Sequence, residues 1–111
     1  MRASLAGALA ITAVVLIMLP PSPARADRID GNWCYRERHM SIDGPTIITP
    51  GGTRMTGLYD RHGFQYTVPD GEADAGARVD MIQFDDQTIQ VTTTGAGSRR
   101  TEIWNRCDLT T

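Results

Sequence analysis

Lysine is missing from this sequence, cysteine occurs only twice, and no stretch of residues 27–111 repeats apolar residues at helical spacing for long. Each shortage excludes something. Without lysine, and with no helix pattern after it, the glycine pair at Pro50-Gly51-Gly52 is no phosphate loop; it reads as a turn needing positive φ. Two cysteines without C-x-x-C spacing argue against a metal-thiolate or redox pair. All 11 basic residues are arginines, outnumbered by 13 acids and interspersed with them. No basic surface for nucleic acid is expected.

What is present begins with an address. Met1-Arg2 opens the chain, an apolar block fills residues 5–19, and Ala24-Arg25-Ala26 follows a proline cluster. These are the charged start, apolar core and small-residue cleavage site of a secretory signal peptide, expected as a helix within residues 1–26. The apolar block is shorter than a membrane-spanning helix requires, so no stable anchor is expected after cleavage. One small domain, residues 27–111, then remains in the periplasm or outside the cell. Losing Arg2 and Arg25 takes its formal charge from −2 to −4. In an oxidising compartment Cys34 and Cys107 are expected to form a disulfide that closes nearly the whole domain.

Between the cysteines, β-branched and aromatic runs alternate with turn residues. Segments 32–36, 40–42, 46–49, 64–68, 78–84, 88–92 and 100–107 read as strands, with a weaker one over 54–59. Asp43-Gly44 is a two-residue hairpin signal. In an up-and-down meander this even count sets the first and last strands antiparallel, placing Cys34 beside Cys107. The expected fold is therefore all-β: a short closed barrel filled by its own side chains, with a two-sheet sandwich as the alternative.

Gly31-x-Trp33 at the head of the first strand and Arg106 in the last resemble the lipocalin arrangement. That resemblance implies a tryptophan packed beneath an arginine at the closed end of a barrel, with Trp33, Trp104 and Arg106 in its closing core. A second resemblance covers most of residues 27–111. Trp33-Cys34, Ile42-Asp43-Gly44, Ile48-Thr49-Pro50-Gly51-Gly52, Gly57-x-Tyr59-x-Arg61-His62-x-Phe64-x-Tyr66 and Trp104-x-x-Cys107 resemble small exported bacterial proteins of no assigned activity. It implies no cofactor and no catalytic residue.

The densest polar-aromatic cluster is Tyr59, Asp60, Arg61 and His62. An aspartate that orients a histidine beside an arginine suits acid–base work, although no nucleophile joins it. As ordinary turn residues, Asp60 caps, Arg61 pairs with an acid and His62 is half-exposed. His39 and His62 lack metal-ligand spacing, and no metal site is expected. Asp70, Glu72 and Asp74 resemble the front of a calcium loop without its downstream glutamate, and read as a solvated acidic turn. Trp33, Tyr35, Tyr66 and Trp104 read as core rather than as a cavity lining. The expected protein is a monomeric binding or interaction module for a small molecule or an envelope protein, with Tyr59, Asp60, Arg61 and His62 as its candidate binding residues. The alternatives are a small hydrolase using residues 59–62, or an inhibitor presenting loops 50–57 and 69–76.

Overall fold

The computed structural model describes residues 28–107, so the expected leader lies outside the described residues. Nine strands follow one another: β1 (Gly31–Tyr35), β2 (Arg38–Asp43), β3 (Thr46–Ile48), β4 (Arg54–Thr56), β5 (Leu58–Asp60), β6 (Gly63–Thr67), β7 (Arg78–Asp85), β8 (Thr88–Gly95) and β9 (Ser98–Arg106). They form one antiparallel sheet in the order β4-β3-β2-β1-β9-β8-β7-β6-β5. The two edge strands, β4 and β5, are consecutive in the chain. The sheet therefore curls into a nearly closed barrel rather than a sandwich.

Nine strands replace the expected eight, and the reason lies at Gly57. Because every ladder is antiparallel, β4 and β5 must run in the same direction. They are one strand that leaves β3, bends at Gly57 and joins β6. A Cβ at Gly57 would sit 2.5 Å from the Phe64 ring and 2.7 Å from the Gln65 carbonyl, so only glycine allows this approach. The Gly57 N–H leaves the ladder to donate to the Pro45 carbonyl at 2.9 Å. Directionally the count remains even, and β1 meets β9 antiparallel.

The other hairpins follow local turn chemistry. Between β2 and β3 the loop is Gly44-Pro45, one residue later than the Asp43-Gly44 signal, because Asp43 still pairs with Thr46. Gly44 supplies φ 58°, and the Pro45 ring fixes its own φ. Ala96-Gly97 joins β8 to β9 with φ 46° and 83°, the two positive angles of a type I′ turn.

Inward positions alternate along each strand. Trp33, Met40, Ile42, Ile47, Ile89 and Trp104 are fully buried, with Phe64, Tyr66, Val79, Met81 and Val91 around them. The opposite face of β7 puts Ile82 and Phe84 into solvent, as period-two alternation with Val79 and Met81 requires.

Strand direction assigns each loop to one of two ends. Residues 28–30 and the turns at 44–45, 61–62 and 86–87 lie at the first end. The turns at 36–37, 49–53 and 96–97, with the long connection 68–77, lie at the other.

Candidate functional site at the barrel mouth

The first end is plugged. Ile29 is fully buried there, and its carbonyl accepts the Trp33 indole N–H at 2.8 Å. Its own N–H donates to the Arg61 carbonyl at 2.8 Å. Arg106 spans the plug: its guanidinium lies 4.3 Å from the Trp33 ring centre. It donates to the carbonyls of Asp86 at 2.6 Å, Asp30 at 2.6 Å and Arg28 at 2.7 Å. The carboxylate of Asp30, itself buried, accepts the Gly44 N–H at 2.7 Å and the Tyr59 hydroxyl. Burial first, and then the Asp30 carboxylate, push the Tyr59 phenol above its ordinary value.

This end also holds the residues singled out from the sequence, and it separates them. Tyr59 turns inward to Asp30. Asp60 and His62 are exposed, and the Asp60 carboxylate accepts the His62 backbone N–H at 3.1 Å, an ordinary turn cap. Arg61 contributes its carbonyl to the plug. His39 accepts or donates against Asn32 at 3.2 Å, far along the chain from His62. Among the described residues no group of three or more histidines, cysteines or acids is arranged for a metal.

The second end is open. A cavity of about 470 Å³ lies there, floored by Met40, Tyr66, Val79, Val91 and Trp104. The interior is thus not filled to the rim as expected. Its side chains are large near the plug, but near the mouth β8 contributes only Val91 and Thr93, and the charged rim chains are drawn to one another around Glu102. Tyr35 stacks on Trp104 with ring centres 5.6 Å apart. Arg38 covers both rings, 5.6 Å and 5.0 Å from their centres. Glu102 stands between the cations. It accepts from Arg38 at 2.9 Å, from Arg100 at 3.3 Å and from the Trp104 indole at 3.2 Å. Burial alone would raise the Glu102 carboxyl, but these donors outweigh it and hold the group below its ordinary value.

Residues 69–76 cross this mouth as a strap, which corrects the expectation of a solvated acidic turn. At the strap's base the Val68 N–H donates to the Ala77 carbonyl and the Val68 carbonyl accepts the Gly76 N–H, each at 2.8 Å. Glu72 is the inner anchor: the hydroxyls of Thr49 and Thr53 each donate to it at 2.6 Å. Asp74 is the outer anchor, accepting from Arg100 at 2.8 Å. The glycines of the 49–53 turn divide their work. Gly52 takes φ 94°, whereas Gly51 leaves room, since a Cβ there would lie 2.3 Å from the Glu72 carboxyl carbon. Patterned alternation could not disclose this strap, because its anchors are polar contacts between distant loops.

Burial would raise the Glu72 carboxyl, but the Thr49 and Thr53 hydroxyls and the backbone N–H groups of Gly51 and Thr53 bring it below 4.5. A folded value below the unfolded one means Glu72 stabilises the docked strap above pH 4.5. That contribution is lost as pH falls through the folded value. Protection of the residue 69–76 amides, taken relative to their intrinsic exchange rates, is accordingly expected to fall as pH drops through the folded value, and Glu72→Gln to remove most of that acid limb. An unchanged limb in the variant would reassign it to Glu102, whose shift has the same sign.

Fold and site together define a small, disulfide-closed antiparallel β-barrel with one plugged end and one open, strapped end. No family model matches the chain, and neither the curated proteins nor the solved structures yield a match. Its function rests on its own geometry.

Proposed function

We propose that this protein is an exported binding module whose ligand, a small and partly apolar molecule, enters the barrel mouth. The observation that carries this is the 470 Å³ cavity, which falls within the ~300–1,000 Å³ of small-molecule sites and pairs an apolar floor with a few polar groups. Export is supported by the leader-like residues 1–26 and by the Cys34–Cys107 disulfide, a bond that persists in oxidising compartments. Among the described residues no helix is long and apolar enough to cross a membrane. The Trp33–Arg106 pair is what the lipocalin resemblance implies for a closed end, and favours reading the opposite end as the entrance. A hydrolase at residues 59–62 has less support, because Tyr59 and Asp60 point to different partners.

The test is a fragment titration followed by amide and indole NMR shifts. Binding is expected to move Tyr66, Val91, Thr93 and Trp104 and to leave residues 59–62 in place. Val91→Phe, which fills the cavity from one wall, is expected to weaken it by at least about tenfold. Shifts confined to residues 59–62 would transfer the function to the plugged end.

A further inference from the structure

The polar groups of the mouth are unequally provided for, and that inequality describes a ligand. Two guanidiniums, Arg38 and Arg100, project from adjoining parts of the wall, yet only one wall carboxylate, Glu102, serves both. The wall alone therefore carries an unmatched positive charge. The strap supplies the missing anion: Asp74 reaches Arg100 at 2.8 Å, with about half of each side chain exposed, 43% and 44%. An ion pair so exposed is weak and readily exchanged. Glu72, by contrast, is occupied by Thr49 and Thr53.

A second group waits deeper in the cavity. Tyr66 is 7% exposed and lines the floor, and its hydroxyl makes no hydrogen bond with any described residue. Burial first, then the Glu72 carboxylate, push its phenol up to about 12, against a smaller opposing effect of Arg38. It is therefore a protonated donor at neutral pH, close to both rim residues. The hydroxyl faces the open cavity, so a ligand oxygen entering there can accept its hydrogen bond in place of water. Around it the Val68, Val79 and Val91 side chains give the cavity an apolar lining suited to a ring or a short alkyl chain.

Resting on the reading of the mouth as a binding site, we propose that it selects small amphipathic carboxylates, and that Asp74 holds the place on Arg100 which the ligand's carboxylate takes. In the empty barrel the strap's own aspartate satisfies Arg100. The arriving acid exchanges with it, its apolar body entering the cavity beside Val68 and Val91 and its oxygens reaching Arg100 and the Tyr66 hydroxyl. The strap remains hinged through Glu72 while its outer anchor lifts. No bond is made or broken in this exchange.

The experiment uses the exported protein with its disulfide intact, titrated with 3-phenylpropanoate and decanoate and with the alcohol and amine of each skeleton, read by calorimetry and tryptophan fluorescence. Each acid is expected to bind about tenfold tighter than its alcohol, as a charge-assisted bond implies, and the amine no better than the alcohol. Asp74→Asn suits the variant arm, because asparagine tolerates the φ of 68° that Asp74 adopts. It is expected to tighten the acids about two- to fivefold, the range of an exposed ion pair, and to leave the alcohols unchanged. Arg100→Gln, checked to melt like the parent, is expected to erase the preference for acids while alcohol binding stays. Alcohols or amines binding as tightly as the acids overturn the selectivity and leave the mouth as a binding site. Acids that bind Asp74→Asn no better than the parent overturn the exchange. Absence of binding by every compound in the parent and in Asp74→Asn overturns the binding reading itself.

Discussion

Reducing the Cys34–Cys107 disulfide lowers the melting temperature by about 15–30 °C. Closing a loop of 73 residues contributes about 4 kcal/mol on the chain-entropy model. In a domain of this size each kcal/mol corresponds to roughly 4–8 °C. The bond's position makes its loss local as well as global. β1 and β9 share only two paired positions, Trp33 with Arg106 and Cys34 with Asn105, whereas β8 and β9 share eight. The seam that closes the sheet is thus its thinnest ladder. Cys107 lies at its end, where its N–H donates to the Asn32 carbonyl at 3.1 Å. Scanning calorimetry of the oxidised and reduced protein, with a Cys34→Ala/Cys107→Ala double variant as control, measures the effect. Coincident melting curves would mean that the plug and the β1–β2 hairpin hold the seam by themselves. If the seam opens first, exchange in β1 should rise before that in β7 and β8.

How much of this was legible in the chain depends on the kind of interaction. Alternation in segments such as Phe64-Gln65-Tyr66 and Thr88-Ile89-Gln90-Val91 located the strands, because burial on one face leaves a period of two in the sequence. Direction was legible as well, since the parity of the meander brings Cys34 to Cys107. The bend at Gly57 was not, because it depends on how near the Phe64 ring lies. β8 runs on to Gly95 past the expected end at residue 92, because Thr93 and Thr94 are carried by pairing with Arg100 and Arg99 rather than by apolar pattern. The mouth was least legible. Residues 59–62 drew notice by being dense along the chain, whereas Arg38, Tyr66, Glu72, Asp74, Arg100 and Glu102 are dispersed over it and meet only when the barrel closes. The one available signal was the acidic loop at 69–76, whose missing calcium ligand concealed its actual partners, two threonines and an arginine.

Replacing Arg106 with methionine is expected to cost about 3 kcal/mol of stability, the second large effect. The substitution keeps an apolar stem over Trp33, so the change isolates the guanidinium. Three carbonyls, of Arg28, Asp30 and Asp86, lose their donor together. A hydrogen bond from a charged donor contributes about 1.5–3 kcal/mol where no water replaces it. Part of the plug is exposed, so water recovers some of the loss and the sum falls well below three full bonds. The attraction between the cation and the Trp33 face, about 1 kcal/mol, disappears as well. Burial draws the Arg106 guanidinium below its ordinary value, although attraction from Asp86 and Asp30 opposes it. Arginine titrates so high that it stays charged at any physiological pH, and no pH dependence near neutrality is expected from it. Gly31 belongs to the same construction: a Cβ there would lie 2.3 Å from an Arg106 nitrogen, and its φ is 128°. Urea unfolding followed by tryptophan fluorescence measures the loss, and Arg106→Lys is expected to fall between, since one ammonium cannot span three carbonyls. If Arg106→Met unfolds at the parent's midpoint, the plug is held by Ile29, Asp30 and their own hydrogen bonds without the guanidinium. A loss that appears instead as faster exchange in residues 28–30, with the mouth unchanged, would show that the two ends of the barrel are energetically separate, the strap staying docked while the plug loosens.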